Sequence, residues 1–292
     1  MWKGPIIDAH SQVDRNTDIE KVVPLMDKAG VSMTLLSTRF SRDSKDVVTY
    51  AERHPERIVP SVKTKTKQYM KGRGSFPKIF LDELAAFKFG AMPEIILWHA
   101  AKGSKAGQAV IPPSDTRVRV FIDAARANGW PLVLHFEFAS AGRNRSAFMA
   151  GLEDLLSNNR DIPVALIHMA QLRIGEVRRL IEGHPNLFFI TSHANPITIS
   201  KHHQPWTNMF SGKYLAADWA ALVAAYPERF ILAFDNVWPE HWGRFYLDQV
   251  VLWRKALSKL PENVAHAVAH GNAEQLWKLP PAKPVGAFAI GK

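Results

Sequence analysis

Eight short apolar runs, each bounded by turn residues and most of them separated by helical sequence, constrain this chain more than any other feature. They are Pro5–His10, Ser32–Ser37, Ile58–Val62, Glu94–Trp98, Leu132–Phe136, Val164–His168, Leu187–Thr191 and Phe230–Phe234. Eight strands alternating with helices is the number that closes a distorted (β/α)8 TIM barrel. Four of the runs also end in side chains able to bind a metal or move a proton. The first leads into Asp8-Ala9-His10-Ser11-Gln12, the fifth into His135, the sixth into His168 and the eighth into Asp235. A parallel barrel brings the carboxyl ends of its strands to one mouth, so these positions are expected to share a site. A lone strand-end histidine is more often structural; three of them with an aspartate, on four strands, point to chemistry. Alternation puts Asp8, His10 and Gln12 on one face, and His135 with Glu137 on another.

The helices carry punctuation. Thr17-Asp18-Ile19-Glu20 has the form of a capping box, and Gly30 a stop, so a first helix is expected between them despite Pro24. Ser114-Asp115 opens a helix from Thr116 to Asn128 with Val118, Phe121, Ile122 and Ala125 on one face and Gly129 as terminator. Further helices are expected at Gly175–Glu182, Leu215–Ala225 and Trp242–Leu260, with a last one from Gly271-Asn272-Ala273 to Trp277 and an extended Pro-rich tail from Pro280. The connections Thr64–Pro77 and Ala194–Gly212 are long and follow strand ends, where barrel enzymes place substrate loops. The second carries His202, His203 and Trp206. Adjacent loop histidines seldom reach one ion, so the pair reads as loop surface or as a lid closing with Trp206. No repeat, linker or composition shift divides residues 1–292, so one domain is expected.

Composition excludes several classes. No apolar run approaches the ~20 residues needed to cross a bilayer, so no membrane partner is expected. Cysteine is absent, which leaves His, Asp and Glu to hold any metal. A strand beginning almost at once leaves no room for a secretory-type leader, so a cytoplasmic location is expected, with a leader already removed as the open alternative. The net charge of +10 invites a nucleic-acid reading. The positive residues are spread along the chain, however, and an anionic small substrate uses the same field. A small-molecule substrate without nucleic acid is therefore expected, in a monomer or a homodimer.

The order Ile-Asp-Ala-His at residues 7–10, His135 ending a strand, His168-Met-Ala, His184-Pro-Asn-Leu-Phe, Phe234-Asp235 and Gly271-Asn272-Ala273 resembles the amidohydrolase-related branch of the amidohydrolase superfamily. The likeness extends over nearly the whole chain. It implies a metal-dependent barrel hydrolase, or less often a decarboxylase or hydratase. It also implies that His10 and His135 ligate a divalent metal and that Asp235 both binds it and acts as general base. His168 would be a second-metal ligand or the group that polarises the substrate carbonyl. Imidazoles and a carboxylate suit Zn²⁺ first, then Mn²⁺ or Fe²⁺, and such an ion brings the pKa of bound water toward neutrality.

Gln12 departs from the family's His-x-His. Three readings follow: His10, His135 and Asp235 hold one metal; Glu94 replaces the missing ligand; or the site works without metal, as in related lactonases. Glu94 reads equally as a polar cap on the opposite rim. Glu137 reads as an acceptor fixing an imidazole tautomer or as a partner of Arg143 or Arg145. Candidate substrate contacts at strand ends are Arg39, Lys63 and Lys65, Trp98 and His99, Arg173, His193 and Asn195, and Trp238. Arg39, Lys63 and Arg173 would suit a carboxylate or lactone substrate. The leading expectation is hydrolysis of a C–N or C–O bond by metal-activated water. The alternatives are non-oxidative decarboxylation of an aromatic acid, metal-independent lactone opening, a barrel kept only for binding, and a nuclease of the related deoxyribonuclease branch.

Overall fold

The computed structural model describes residues 1–102 and 107–286. Every expected strand is present: β1 Ile7–Val13, β2 Met33–Thr38, β3 Ile58–Ser61, β4 Ile95–Ile96, β5 Leu132–His135, β6 Val164–Leu166, β7 Leu187–Ile190 and β8 Phe230–Ile231. β1 to β3 pair in order as one sheet and β4 to β8 as another, all in parallel. Backbone hydrogen bonds join the two sheets at both seams. Ala9 N donates to Leu232 O (3.1 Å), Asp235 N to His10 O (2.9 Å) and Gln12 N to Asn236 O (2.7 Å). Gly90 N donates to Pro60 O (2.9 Å) and Val62 N to Ala91 O (3.1 Å). The result is a TIM barrel.

Alternation along the strands sorts the apolar residues into two cores. Ile7, Ala9, Met33, Leu35, Val133, Ala165, Ile190, Ile231 and Ala233 fill the interior, closed below by Ala273 and Trp277. Leu36, Leu132, Leu134, Val164, Leu166, Phe230 and Leu232 face outward to the helices. The helix Thr116–Asn128 has the expected bounds, with Asp115 accepting from Arg117 N and Gly129 at φ 65°. At the first helix the cap is Asp18, not Thr17, whose hydroxyl is held by Asp14; a single 3-10 turn then leads into Val22–Ala29. Helices Ser44–Arg53, Phe76–Ala86 and Arg145–Asn158 complete the outer layer, and the two long connections contain short helices, Lys67–Met70 and Pro196–His202. Asn272 donates to Pro227 O and Phe230 O, both at 2.8 Å, and so pins the start of β8. The tail bonds back through Ala282 N to Glu274 and Lys283 O to Ser32. Its last residues, 287–292, lie outside the described residues.

Two local devices aim side chains at the mouth where plain alternation would not. β1 contains a bulge: Asp8 pairs with Thr34 but Ser11 with Leu36, so one extra residue lies on β1. Ile7 and Ala9 face the interior before the bulge, and His10 and Gln12 face it afterward. Asp8 is thereby turned away from His10, contrary to the same-face expectation. It accepts from Ser11 Oγ (2.6 Å) and Phe234 N (2.9 Å), and burial raises its pKa to about 7 against those bonds. The second device is left-handed backbone. His168, Met169, Ala170 and Gln171 have φ of 50–57°, His193 has 61° and Asp235 has 50°. Such conformations are costly for non-glycine residues and cluster where structure is bent to a function.

Candidate active site

The half of the mouth built from β1, β4 and β5 centres on Glu94, which is 2% exposed. Its carboxylate meets His135 Nδ1, Lys65 Nζ and the Gln12 amide nitrogen, the last at 3.1 Å. This places Glu94 in the site rather than on the opposite rim. Gln12 Nε2 also lies 3.0 Å from His10 Nε2 and 3.0 Å from Asp235 Oδ1. Beyond His135, Glu137 Oε1 approaches the imidazole Nε2 (3.1 Å) and accepts from Lys102 Nζ (2.6 Å), while Oε2 accepts from Ala100 N. Glu137 is therefore an acceptor that orients His135, and Arg145 is paired with Glu176 instead. The charges follow from these contacts. Burial opposes ionisation of Glu94, but Lys65 and His135 outweigh it and hold the carboxyl well below the usual range. Burial likewise works against His10, yet the bonds to Asp235 and Glu94 lift it to about 9.

The other half, from β6, β7 and β8, has few donors. His168 Nδ1 lies 2.9 Å from Ser192 Oγ and 3.4 Å from Ser192 O. The carbonyl can only accept, so Nδ1 carries the hydrogen and Nε2 keeps its lone pair. His168 Nε2 and His193 Nε2 both face Asp235 Oδ2, at 3.5 and 3.3 Å. The two rings are stacked, with centroids 4.2 Å apart and 5° between planes. Trp206 covers both at about 5 Å. Burial holds His168 well below its normal value, and brings His193 and His241 down to about 3. Asp235 stays well below the carboxylate range despite its burial, because His10 bonds to it.

Lys65, Glu94, His135, His168, Trp206 and Asp235 line a cavity of about 570 Å³, with His10 and Gln12 behind them. Arg39, His193 and Trp238, expected as substrate contacts, line it. The Arg39 guanidinium packs against both the Phe40 and Trp238 rings, 4.5 and 4.6 Å from their centroids, and its buried NH1 has no hydrogen-bond partner among the described residues. Four other expected contacts are elsewhere; of these, Asn195 is buried and caps the helix Pro196–His202, accepting from Thr198 N at 3.1 Å. Lys63 turns back to Arg42 O, and it is Lys65, one pleat on, that enters the site. Trp98 is buried against Phe148, leaving His99, next to it in a short two-stranded ribbon with Ala109–Val110, to face the cavity. Arg173 is exposed at the start of helix Ile174–Gly183, where its backbone N is bonded by Glu176. Lys102, Phe40 and His241 line the cavity without having been expected. His202 lines it as well, its ring against those of His193 and His241, while His203 is exposed on the loop.

Residues able to hold a divalent cation are present in more than one combination. Ligand atoms of His10, Glu94 and Asp235 lie together, as do those of Glu94, His135 and His168 and those of His168, His193 and Asp235. The expected trio of His10, His135 and Asp235 is instead split, with Glu94 between its two histidines. The donor set fits a zinc-type ion. Gln12 fits as well: its Oε1 is buried without a partner, and turning the carboxamide over exchanges Nε2 for that oxygen, a ligand atom.

A family model described as amidohydrolase matches residues 99–279. No curated protein matches the chain. Among solved structures, it is similar to an uncharacterised TIM-barrel protein from Bordetella bronchiseptica, with 16% identity and a TM-score of 0.59 over 94% of this chain and 99% of that one. A 5-carboxyvanillate decarboxylase from Sphingomonas paucimobilis is 14% identical with a TM-score of 0.55, at the same coverage of 94% and 99%. An amidohydrolase from Burkholderia multivorans with bound zinc has the same 14% identity, TM-score of 0.55 and coverage of 94% and 99%. Identities this low establish a shared fold alone. No helix among the described residues is long and apolar enough to cross a membrane.

Proposed function

Since the chain belongs to the amidohydrolase family, we propose that it is a divalent-metal-dependent hydrolase directing water at a C–N or C–O bond of a small carboxylate-bearing substrate. The observation that carries this reading is the pairing of two buried, ionised carboxylates, Glu94 and Asp235, with His135, His168 and His193 around one cavity and His10 in contact with both carboxylates. His10, Glu94 and Asp235, with His135 alongside, would hold the ion, zinc by preference. When bound, it supplies a Lewis acid and a water that ionises near neutrality.

The chain's own residues do the rest. Asp235 is kept ionised and stands between the halves of the mouth, placed to take a proton from the attacking water and return it to the leaving group. The Nε2 lone pair of His168, fixed by the bond at Nδ1, faces the same space, and burial keeps the ring neutral there. Arg39, packed against two rings and with NH1 unpartnered among the described residues, anchors the substrate carboxylate. Lys65 balances Glu94, so the site carries less negative charge than its carboxylates alone would give it.

The test is turnover of a panel of carboxylate-bearing lactones and cyclic amides by chelator-treated protein, before and after zinc or manganese is restored. Metal-dependent ring opening is expected. Turnover unaffected by chelation and metal return would overturn the metal-dependent reading and favour the lactonase alternative. A second reading, decarboxylation of an aromatic acid, is favoured by the Phe40–Arg39–Trp238 clamp and is the activity of the Sphingomonas neighbour. Release of CO2 from an aromatic acid, without net uptake of water, distinguishes it.

A further inference from the structure

The two halves of the mouth differ in how their acceptors are served. Around Glu94, each carboxylate oxygen meets a protein donor or an imidazole: Lys65 and Gln12 on Oε1, His135 on Oε2. The Oδ1 of Asp235 takes the Gln12 amide. On the other side, among the described residues, Asp235 Oδ2 is faced by two imidazole nitrogens. The His168 nitrogen there is a lone pair, because its ring hydrogen is at Nδ1. Both nitrogens of His193 are buried and lack a hydrogen-bond partner among the described residues. The His168 lone pair and the carboxylate oxygen aimed into one small space repel one another, and a cation among the three groups would satisfy all of them at once.

We propose that His168 Nε2, His193 Nε2 and Asp235 Oδ2 form a divalent-cation site of their own, with His193 as a ligand from the seventh strand, separate from the set centred on Glu94. It rests on the reading of the mouth as a cation-binding centre only through the shared Asp235. Three observations independent of one another support it. The ligand atoms lie within 4.8 Å of each other, and all three residues are buried. Ser192 fixes the His168 tautomer with its other nitrogen, the arrangement by which proteins orient imidazole ligands. His193 and Asp235 both reach the site through left-handed backbone, a strained conformation on two strand ends that converge on the same point. Around it, Trp206 excludes water from one side. His241 accepts Val237 N at Nδ1 and so carries its hydrogen on Nε2, a donor for an oxygen bound to the ion rather than a ligand. Three protein ligands leave a further position open to water or substrate, as in catalytic rather than structural zinc sites.

The experiment is zinc titration of chelator-treated full-length protein by calorimetry, with His193→Asn and Glu94→Gln beside wild type. His193→Asn is expected to lose one zinc equivalent that Glu94→Gln keeps. A His193→Asn curve identical to wild type, or a wild-type chain that takes up no zinc, overturns the proposal. His193→Cys, loaded with Co²⁺, gives a second readout that does not depend on stoichiometry. A thiolate-to-cobalt charge-transfer band in the near ultraviolet places residue 193 on the ion; a spectrum with no such band, in protein that still binds cobalt, overturns it. The hydrolase reading is judged separately, by turnover, so either can fail alone.

Discussion

The Glu94 half of the mouth and the Asp235–His193 half contain the same residue types but solve their electrostatics in different ways. The first neutralises itself. Lys65, Lys102 and the Gln12 amide supply donors to Glu94 and Glu137, and the imidazoles of His10 and His135 sit between carboxylates. The second sets two stacked imidazoles against one carboxylate oxygen, under a tryptophan roof. Gln12 is the hinge of this contrast. With its amide nitrogen 3.0–3.1 Å from His10, Glu94 and Asp235, it puts a neutral donor among the ligand atoms that a cation would otherwise hold together. An amide nitrogen has two hydrogens, enough for the two carboxylates. The difference teaches that replacing one histidine in such a site does not simply delete a ligand. It ties one half together through its own hydrogen bonds, while the other half is held by imidazole–carboxylate contacts.

Asp235 is the residue both halves share, so Asp235→Asn has the largest expected effect: about a thousandfold lower kcat, with zinc bound more weakly. A loss of less than tenfold would mean that neither half depends on this carboxylate. Lys65→Met attacks the self-neutralised half alone. Removing one partner of a buried pair is expected to lower the unfolding free energy of metal-free protein by about 3 kcal/mol, measured by urea denaturation. Zinc should recover more of that stability in the variant than in wild type, because the ion takes over the role of the ammonium. Arg39→Met leaves both halves intact. It should raise KM for a carboxylate substrate about thirtyfold with kcat changed little, since a clamp on a distant group binds ground and transition states alike. Arg173→Ala, outside the cavity, is expected to leave KM unchanged and stability within about 0.5 kcal/mol.

The barrel was legible because each strand is a short apolar run and the period separating inward from outward residues is simple. Ile231, Ala233 and Asp235 alternate with Phe230, Leu232 and Phe234, and the structure sorts them accordingly. The strand-end rule also placed His10, His135, His168 and Asp235 at one mouth. What it could not supply is the sense of a backbone turn. Asp8 was expected beside His10, but a single extra residue in β1 sends the two to opposite faces, and no residue in Asp8-Ala9-His10 signals a bulge. In the same way, alternation from Ile190 would turn His193 outward, and only its positive φ brings it to Asp235. Lys63 and Lys65 are one pleat apart on an irregular segment, so charge alone could not choose between them. Lys102 and His241 belong to loops whose approach to the mouth depends on contacts far away in sequence. Arg173 could have been recognised: it directly precedes a helix with Glu176 at the third position, a signature of capping rather than of substrate binding.

The most direct measurement is the anomalous difference density of a crystal grown from protein loaded with zinc, recorded on both sides of the zinc absorption edge. A peak within coordination distance of Asp235 is predicted, with His168 and His193 among the ligands of one ion and Glu94 on the other side. Density showing no zinc near Asp235, with the Gln12 amide still set between His10 and Glu94, would contradict it.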